Sequence, residues 1–241
     1  MKVNTNSNTY IIIYSIVMVV IVAVLLSVAA LGLAPRQQEN MLNEKKTQIV
    51  KALGEDPATV AYDSVITKAV ILDASGAVVS EDVNEVFAAL NDLNGSFAAQ
   101  RYPIFVATSG VVVPLYGAGL WGPIWGYIAL DADMNTVKGI VLDHSGETPG
   151  LGAEITTPKH QAMYPGKTIY EGDAIVGVTL KKGGADKSNP HEVDAITGGT
   201  KTSDGVTAMI SDCLNYYKPY FDAARAAAVA TVEAESNTIN E

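Results

Sequence analysis

Between Asp194 and Val206 the chain reads D-A-I-T-G-G-T-K-T-S-D-G-V, which sets four hydroxyl side chains, Thr197, Thr200, Thr202 and Ser203, around the pair Gly198-Gly199. Val206, Met209, Ile210, Cys213, Leu214 and Tyr217 follow at helical spacing, so this stretch opens an amphipathic helix that Pro219 is expected to end. Three chemistries suit a hydroxyl in that place. It can cap the helix, and Ser203 lies nearest the register for that role. The glycines and the N–H groups of the first turn can hold an anion without any bond being made. A hydroxyl can also be esterified by a phosphate-bearing cofactor, whose phosphodiester the same donors then neutralise. The residues alone permit all three.

Two further glycine-rich stretches carry polar and flat apolar groups. Gly119-Leu120-Trp121-Gly122 lies in Pro114 to Gly126, which reads as one turn holding both tryptophans of the chain. Glu147-Thr148-Pro149-Gly150-Leu151-Gly152 reads as a loop by its glycine and proline content. Glu147 and Glu154 in such a loop do not establish a glycosidase pair. His144, His160 and His191 are scattered without metal-site spacing and read as surface or hydrogen-bonding residues. Ser145-Gly146 lacks the context of a nucleophile elbow.

The elements that must position these groups occupy 241 residues, 48% of them apolar, enough for one or two domains with a true core. A net charge of −10 with no segregated basic patch excludes a nucleic-acid groove. The single cysteine, Cys213, excludes an intramolecular disulfide and an all-cysteine metal site.

Tyr10 to Ala34 carries no charge and is long enough to cross a bilayer as a helix. A cleaved signal peptide is the rival reading, with Lys2 as its positive end and small residues from Ser27 to Ala34, but the apolar run exceeds a usual signal core. Pro35 is expected to stop the span. Gln37 to Leu53 then reads as an exposed helix with apolar Met41, Leu42, Ile49, Val50 and Leu53, ended by Gly54. Arg36, Lys45, Lys46 and Lys51 follow the span, so the positive-inside count places the large domain in the cytoplasm.

Val65 to Leu72, a turn at Asp73 to Gly76 and Val78-Val79 predict a hairpin. Ser80 to Leu93 has helical periodicity with Ser80 as its N-cap. Ile104 to Val113, Tyr127 to Ala132 and Val137 to Asp143 read as strands of a twisted antiparallel sheet, and Ile175 to Leu180 as a further strand. A helix is expected near Thr157 to Tyr164, a polar loop over Lys181 to Pro190, and a marginal helix over Tyr220 to Glu235. The fold class is α+β, divided as a tail at 1–9, a transmembrane helix at 10–34, a stalk and pre-domain at 35–100, the main domain at 101–218 and a tail at 219–241.

Asp194 to Thr200 resembles the flavinylation motif of FMN-binding domains in respiratory complexes, written D-x-x-S-G-A-T or with threonine in the serine place. Asp194, Thr197 and Gly198 match it, Gly199 stands where alanine is usual, and Thr200 corresponds to the threonine that a flavin transferase joins to the phosphate of FMN. The stretches 119–122 and 147–152 are similar to two other signatures of that domain. With the preceding span, the three in order resemble the NqrC family, flavin-bearing subunits of Na+-translocating NADH:quinone oxidoreductases, over nearly the whole chain. The paralogous flavin subunit of the Rnf ferredoxin:NAD oxidoreductase shares the FMN motif, and a membrane-tethered binding protein without redox chemistry is the alternative of a different class.

The resemblance implies covalent FMN on Thr200, with Thr197, Gly198, Gly199, Thr202 and Ser203 around the phosphate. Glu147, Thr148, Gly150 and Gly152 belong to the loop whose N–H groups and Thr148 hydroxyl would meet the pyrimidine edge of the flavin ring, and Leu120, Trp121 and Leu151 would wall it. It implies a component of a sodium-transporting oxidoreductase that carries electrons from an iron–sulfur centre to another flavin subunit and is not catalytic alone. Its partners would be the other subunits of that membrane complex. The single-pass anchor would lie in a cell inner membrane with the soluble domain periplasmic, opposite to the charge count.

Overall fold

The computed structural model describes residues 7–239, so Lys2, most of the 1–9 tail and the last two residues fall outside the described residues. The first helix, α1 (Asn8–Ala52), runs through Pro35, where the sequence pattern predicts a stop. Proline lacks only the N–H that would reach the Leu31 carbonyl, and the residues after it, Arg36-Gln37-Gln38-Glu39, are strong helix formers that carry the helix on. An 18-residue window in α1 has a mean hydropathy of 3.1 and is wholly unburied, which makes this helix long and apolar enough to cross a membrane. Met1–Lys45 forms one compact unit and Lys46–Glu241 a second. As expected, α1 closes at Gly54, whose φ of +78° lets its N–H return to the Lys51 carbonyl at 2.9 Å.

In the second unit α2 (Tyr62–Val65) leads into the predicted hairpin, β1 (Ile66–Leu72) and β2 (Val78–Ser80). The single helix expected over Ser80 to Leu93 is instead two, α3 (Val83–Ala89) and α4 (Leu93–Ala98). Their caps are Asp82 and Asp92, whose carboxylates accept from Asn84 N and Gly95 N. Ser80 is not the cap, because its hydroxyl accepts from Asp82 N one step before the helix.

The strand expected over Ile104 to Val113 is also two, β3 (Tyr102–Ala107) and β4 (Gly110–Ala118). Thr108-Ser109 turns the chain between them, and Gly110 takes φ +145° there. The turn was hidden because the sheet is buried on both faces, so its strands read as continuous apolar runs. β5 (Pro123–Asp131) and β6 (Val137–His144) complete an antiparallel sheet of order β2-β1-β3-β4-β5-β6. The supposed turn Pro114 to Gly126 is therefore mostly strand, with only Gly119 to Gly122 outside, and Trp125 lies within β5 paired to Tyr116.

Alternation along each strand divides two cores. Ile104, Val111, Val113, Leu115, Ile128 and Leu130 face one side, and Phe105, Val112, Tyr127 and Ala129 the other. The second core is closed by α3 and by the end of α1, where Ile49, Ala52 and Leu53 are buried. Gly139 has no Cβ, and one would sit 2.5 Å from the Ala52 carbonyl oxygen.

After β6 come a 3-10 turn (Gly152–Thr156) and α5 (Pro158–Gln161). β7 (Tyr170–Glu171) and β8 (Ala174–Ile175) form one ribbon, and β9 (Thr179–Lys181) pairs in parallel with β10 (Glu192–Asp194). The single strand expected over Ile175 to Leu180 is interrupted at Gly177, with φ +69°. Finally α6 (Thr200–Tyr216) and α7 (Lys218–Ile239) follow one another with Pro219 in the first turn of α7, where it starts a helix as readily as it would end one.

Candidate functional site

Helix α6 buries Val206, Met209, Ile210, Cys213 and Leu214 in the first core, the stripe that the sequence predicted. Its approach to β4 is very close. A Cβ on Gly117 would lie 2.7 Å from Met209 Cβ, and one on Gly205 would strike the Ala118 carbonyl oxygen. The Cys213 thiol bonds both N and O of Tyr116 at 3.4 Å, and burial pushes its pKa up to about 12, so it is a packing group. The Gly205–Ala118 approach brings the start of α6 to the end of β4, beside the turn Gly119 to Gly122.

At that first turn the four hydroxyls separate. Thr202 and Ser203 are each 1% exposed. Ser203 does not cap the helix. It lies inside the first turn, and its hydroxyl accepts from Ile196 N at 3.0 Å, fastening the preceding loop to the helix. The cap position is Gly199, which supplies no side-chain bond. The N–H groups of Thr200, Lys201 and Thr202 have no hydrogen-bond acceptor among the described residues, and neither does the half-buried Thr200 hydroxyl. Thr197 is exposed on the loop ahead of Gly198, which has φ +76° and packs on Leu151.

Glu147 joins all three glycine-rich stretches. It is 4% exposed, accepts the Thr202 hydroxyl on Oε2 at 2.5 Å and accepts Trp121 N on Oε1 at 2.9 Å. A Cβ on Gly119 would lie 2.5 Å from Oε1, and one on Gly152 would collide with both Oε2 and the Thr202 hydroxyl oxygen. Those two glycines thus exist to admit one carboxylate. Burial pushes its pKa up, but the Thr202 hydroxyl, the Trp121 and Leu120 N–H groups and nearby His144 outweigh that and hold it below the usual carboxylate range.

Around this clasp the surface is apolar and open. Leu120 is 53% exposed, Trp121 69% and Leu151 42%, far more than large apolar groups at a finished surface need be. Thr148 and Gly150 are exposed on the same loop, whose turn is closed by Leu151 N and Ala153 N donating to the Thr148 carbonyl at 3.1 and 3.2 Å. A groove of 410 Å³ runs beside it, between Gly150 and Glu154 on one side and Asp194 to Thr197 on the other, a size that suits a small organic ligand.

Asp194, the first residue of the motif, accepts from Ala185 N at 2.7 Å, so it braces the 183–185 loop. Glu154 lies half-buried in the 3-10 turn, and among the described residues no group of three His, Cys, Asp or Glu side chains could hold a metal. His160 is buried against Tyr164 OH at 3.0 Å, where burial pushes its pKa down to about 4. Sequence reasoning gives Glu147 a place at the flavin ring but misses its bond to Thr202, and misses Gly117 and Gly205 altogether. The signal in the sequence is that all three stretches are glycine-rich, two of them carrying polar side chains and the third Leu120 and Trp121.

Residues 119–215 match the FMN-binding domain family. The NqrC component of the Na(+)-translocating NADH-quinone reductase of Pseudomonas aeruginosa is 32% identical over 251 aligned residues, 91% of this chain and 95% of that one. Its counterpart in Pasteurella multocida is 42% identical over 134 residues, 56% of this chain and 46% of its own. Among solved structures, the corresponding reductase component from Parabacteroides distasonis aligns with a TM-score of 0.71 at 35% identity, covering 78% of this chain and 96% of that one. The NqrC protein of Shewanella oneidensis aligns at 0.63 and 28% identity, over 76% and 99%. With relatives this similar along nearly the whole sequence, the chain belongs to the NqrC family of Na(+)-translocating NADH-quinone reductase subunits.

Proposed function

We propose that this chain carries FMN, joined through its phosphate to the Thr200 hydroxyl, as an electron-transfer subunit of a membrane NADH:quinone oxidoreductase that moves sodium ions. The observation that carries the reading is the uncapped first turn of α6, with three N–H groups that lack acceptors among the described residues beside a hydroxyl that bonds none of them. A phosphodiester on Thr200 supplies the missing acceptor and meets the positive end of the helix dipole. Thr202 and Ser203 are poor attachment points, because both are buried and both hydroxyls are engaged.

The division of labour follows from the same geometry. Gly198 and Gly199 let the Leu151 and Ile196 side chains pack against the backbone at the helix start and add no side chain of their own beside Thr200. Leu120, Trp121 and Leu151 offer apolar area to the flavin ring, while the Thr148 hydroxyl and the N–H of Gly150 in the 146–152 loop meet its polar edge. FMN supplies reversible one-electron chemistry that none of these side chains provides. The chain itself holds the cofactor, keeps it from being lost by diffusion and presents it to partners. Those partners are an iron–sulfur centre on the donor side and another flavin subunit on the acceptor side, with a flavin transferase for maturation. Residues 10–34 anchor the protein in the inner membrane against other subunits, residues 101–218 carry the flavin, and that domain lies on the periplasmic face.

Co-expression with a flavin transferase tests this directly. Yellow fluorescence that persists through denaturation, with the added phosphoflavin mass on the peptide containing Thr200, is expected. A colourless product favours instead a membrane-tethered protein whose glycine-rich loops bind an anion without redox chemistry.

A further inference from the structure

Glu147 is the one buried carboxylate among the described residues. It makes no ion pair with any lysine or arginine among them, and the His144 imidazole beside it accepts the Glu147 N–H on Nδ1 at 3.2 Å. Hydrogen bonds from neutral donors hold it in place. Those donors are the Thr202 hydroxyl in the first turn of α6 and the backbone of the Trp121 turn. Its charge is thus fixed between the helix start that bears Thr200 and the exposed Leu120, Trp121 and Leu151 side chains.

We infer that Glu147 is a positioning residue that also sets the midpoint potential of the flavin, its charge, met by no lysine or arginine, making the attached cofactor harder to reduce; this rests on the reading of FMN at Thr200. The electron comes from the reduced iron–sulfur partner and leaves to the next flavin, while Glu147 itself gains and loses nothing. An electron added near a fixed negative charge in a partly water-excluded site is raised in energy, and salt screens a buried charge weakly. Gly119 and Gly152 serve the same end, because any side chain at either would displace the carboxylate.

The test is a spectroelectrochemical titration at pH 8 of the flavinylated full-length protein in detergent, comparing wild type with Glu147→Gln and Thr202→Val. Glu147→Gln keeps the shape and removes the charge, so the midpoint rises. Thr202→Val keeps the charge and removes its strongest compensating donor, so the midpoint falls. An unmoved midpoint in Glu147→Gln, or a rise in both variants, overturns the inference, since a purely structural clasp lowers thermal stability without sorting the two by sign. If Glu147→Gln does not fold, Thr202→Val decides alone, and a rise or no shift counts against the idea. A colourless wild type overturns the reading and this inference together; a yellow wild type with unmoved variants overturns this inference only.

Discussion

Thr202 donates its hydroxyl to Glu147 at 2.5 Å across 55 positions of the chain, and both groups are buried. This bond ties the start of α6 to the loop after β6. The second oxygen of Glu147 ties that loop to the turn between β4 and β5. Three stretches that look like separate glycine-rich loops in the sequence are one assembly.

Gly152→Ala tests how tightly that assembly is packed. Its Cβ overlaps Glu147 Oε2 and the Thr202 hydroxyl oxygen, so one of them must leave. A loss of about 1–3 kcal/mol is expected from urea denaturation of the full-length protein in detergent. Gly146→Ala, with its nearest neighbour 3.9 Å away at the Trp121 carbonyl, should change stability far less.

Attachment should depend on Thr200 and on its hydroxyl alone. Thr200→Ala is expected to abolish fluorescence in a denaturing gel, Thr200→Ser to retain it, and Thr197→Ala to leave it near wild type. Flavin persisting in Thr200→Ala moves the ester to another residue without removing the cofactor.

Gly205 sets helix propensity against packing. Alanine in a helix interior is favoured over glycine by about 1 kcal/mol. Here the added methyl meets the backbone carbonyl of Ala118, which cannot rotate away as a side chain could. The close contact wins, so Gly205→Ala should unfold at lower temperature than wild type in a melt followed by circular dichroism.

His160 gives a pH dependence whose sign is fixed by burial. Its pKa is pushed down to about 4 in the folded protein, against an ordinary value near 6.5 in the unfolded chain. Between those values the unfolded state binds the extra proton. Stability is therefore full above roughly pH 6.5 and falls toward pH 4, by at most about 1.4 kcal/mol per pH unit. Glu147, with its pKa held low, adds a loss in the same direction at acid pH. Urea midpoints measured from pH 7 to pH 4 should fall less steeply in His160→Phe than in wild type.

The periodicities legible in the sequence are those with one buried face. The α6 stripe from Val206 to Leu214 stands out there, because polar residues interrupt it at the right interval, whereas the Val65 to Val79 hairpin is read from its Asp73 to Gly76 turn, since β1 is buried on both faces from Ala69 to Leu72. Ile104 to Val113 misleads because both faces of its strands are buried, leaving Thr108-Ser109 as a weak mark of the turn. At the site, Thr200 and the three stretches come from pattern and resemblance. The split between free and engaged hydroxyls does not, since it depends on Glu147 arriving from 55 residues away. Ser203 shows the same limit: its spacing suits a cap, but the structure uses its hydroxyl to hold Ile196.

The last turns of α1 determine where this protein can be cut. Ile49, Ala52 and Leu53 are part of the second core, and Ala52 abuts Gly139 on β6. Burial of Ile49 and of Leu53 is worth about 1.5–3 kcal/mol each, a large share of the roughly 5–15 kcal/mol that typically holds a domain folded. Proteolysis between Arg36 and Lys45 should release a fragment that still folds. A cut after Lys51 should release one that aggregates, although it removes nothing from the flavin motifs.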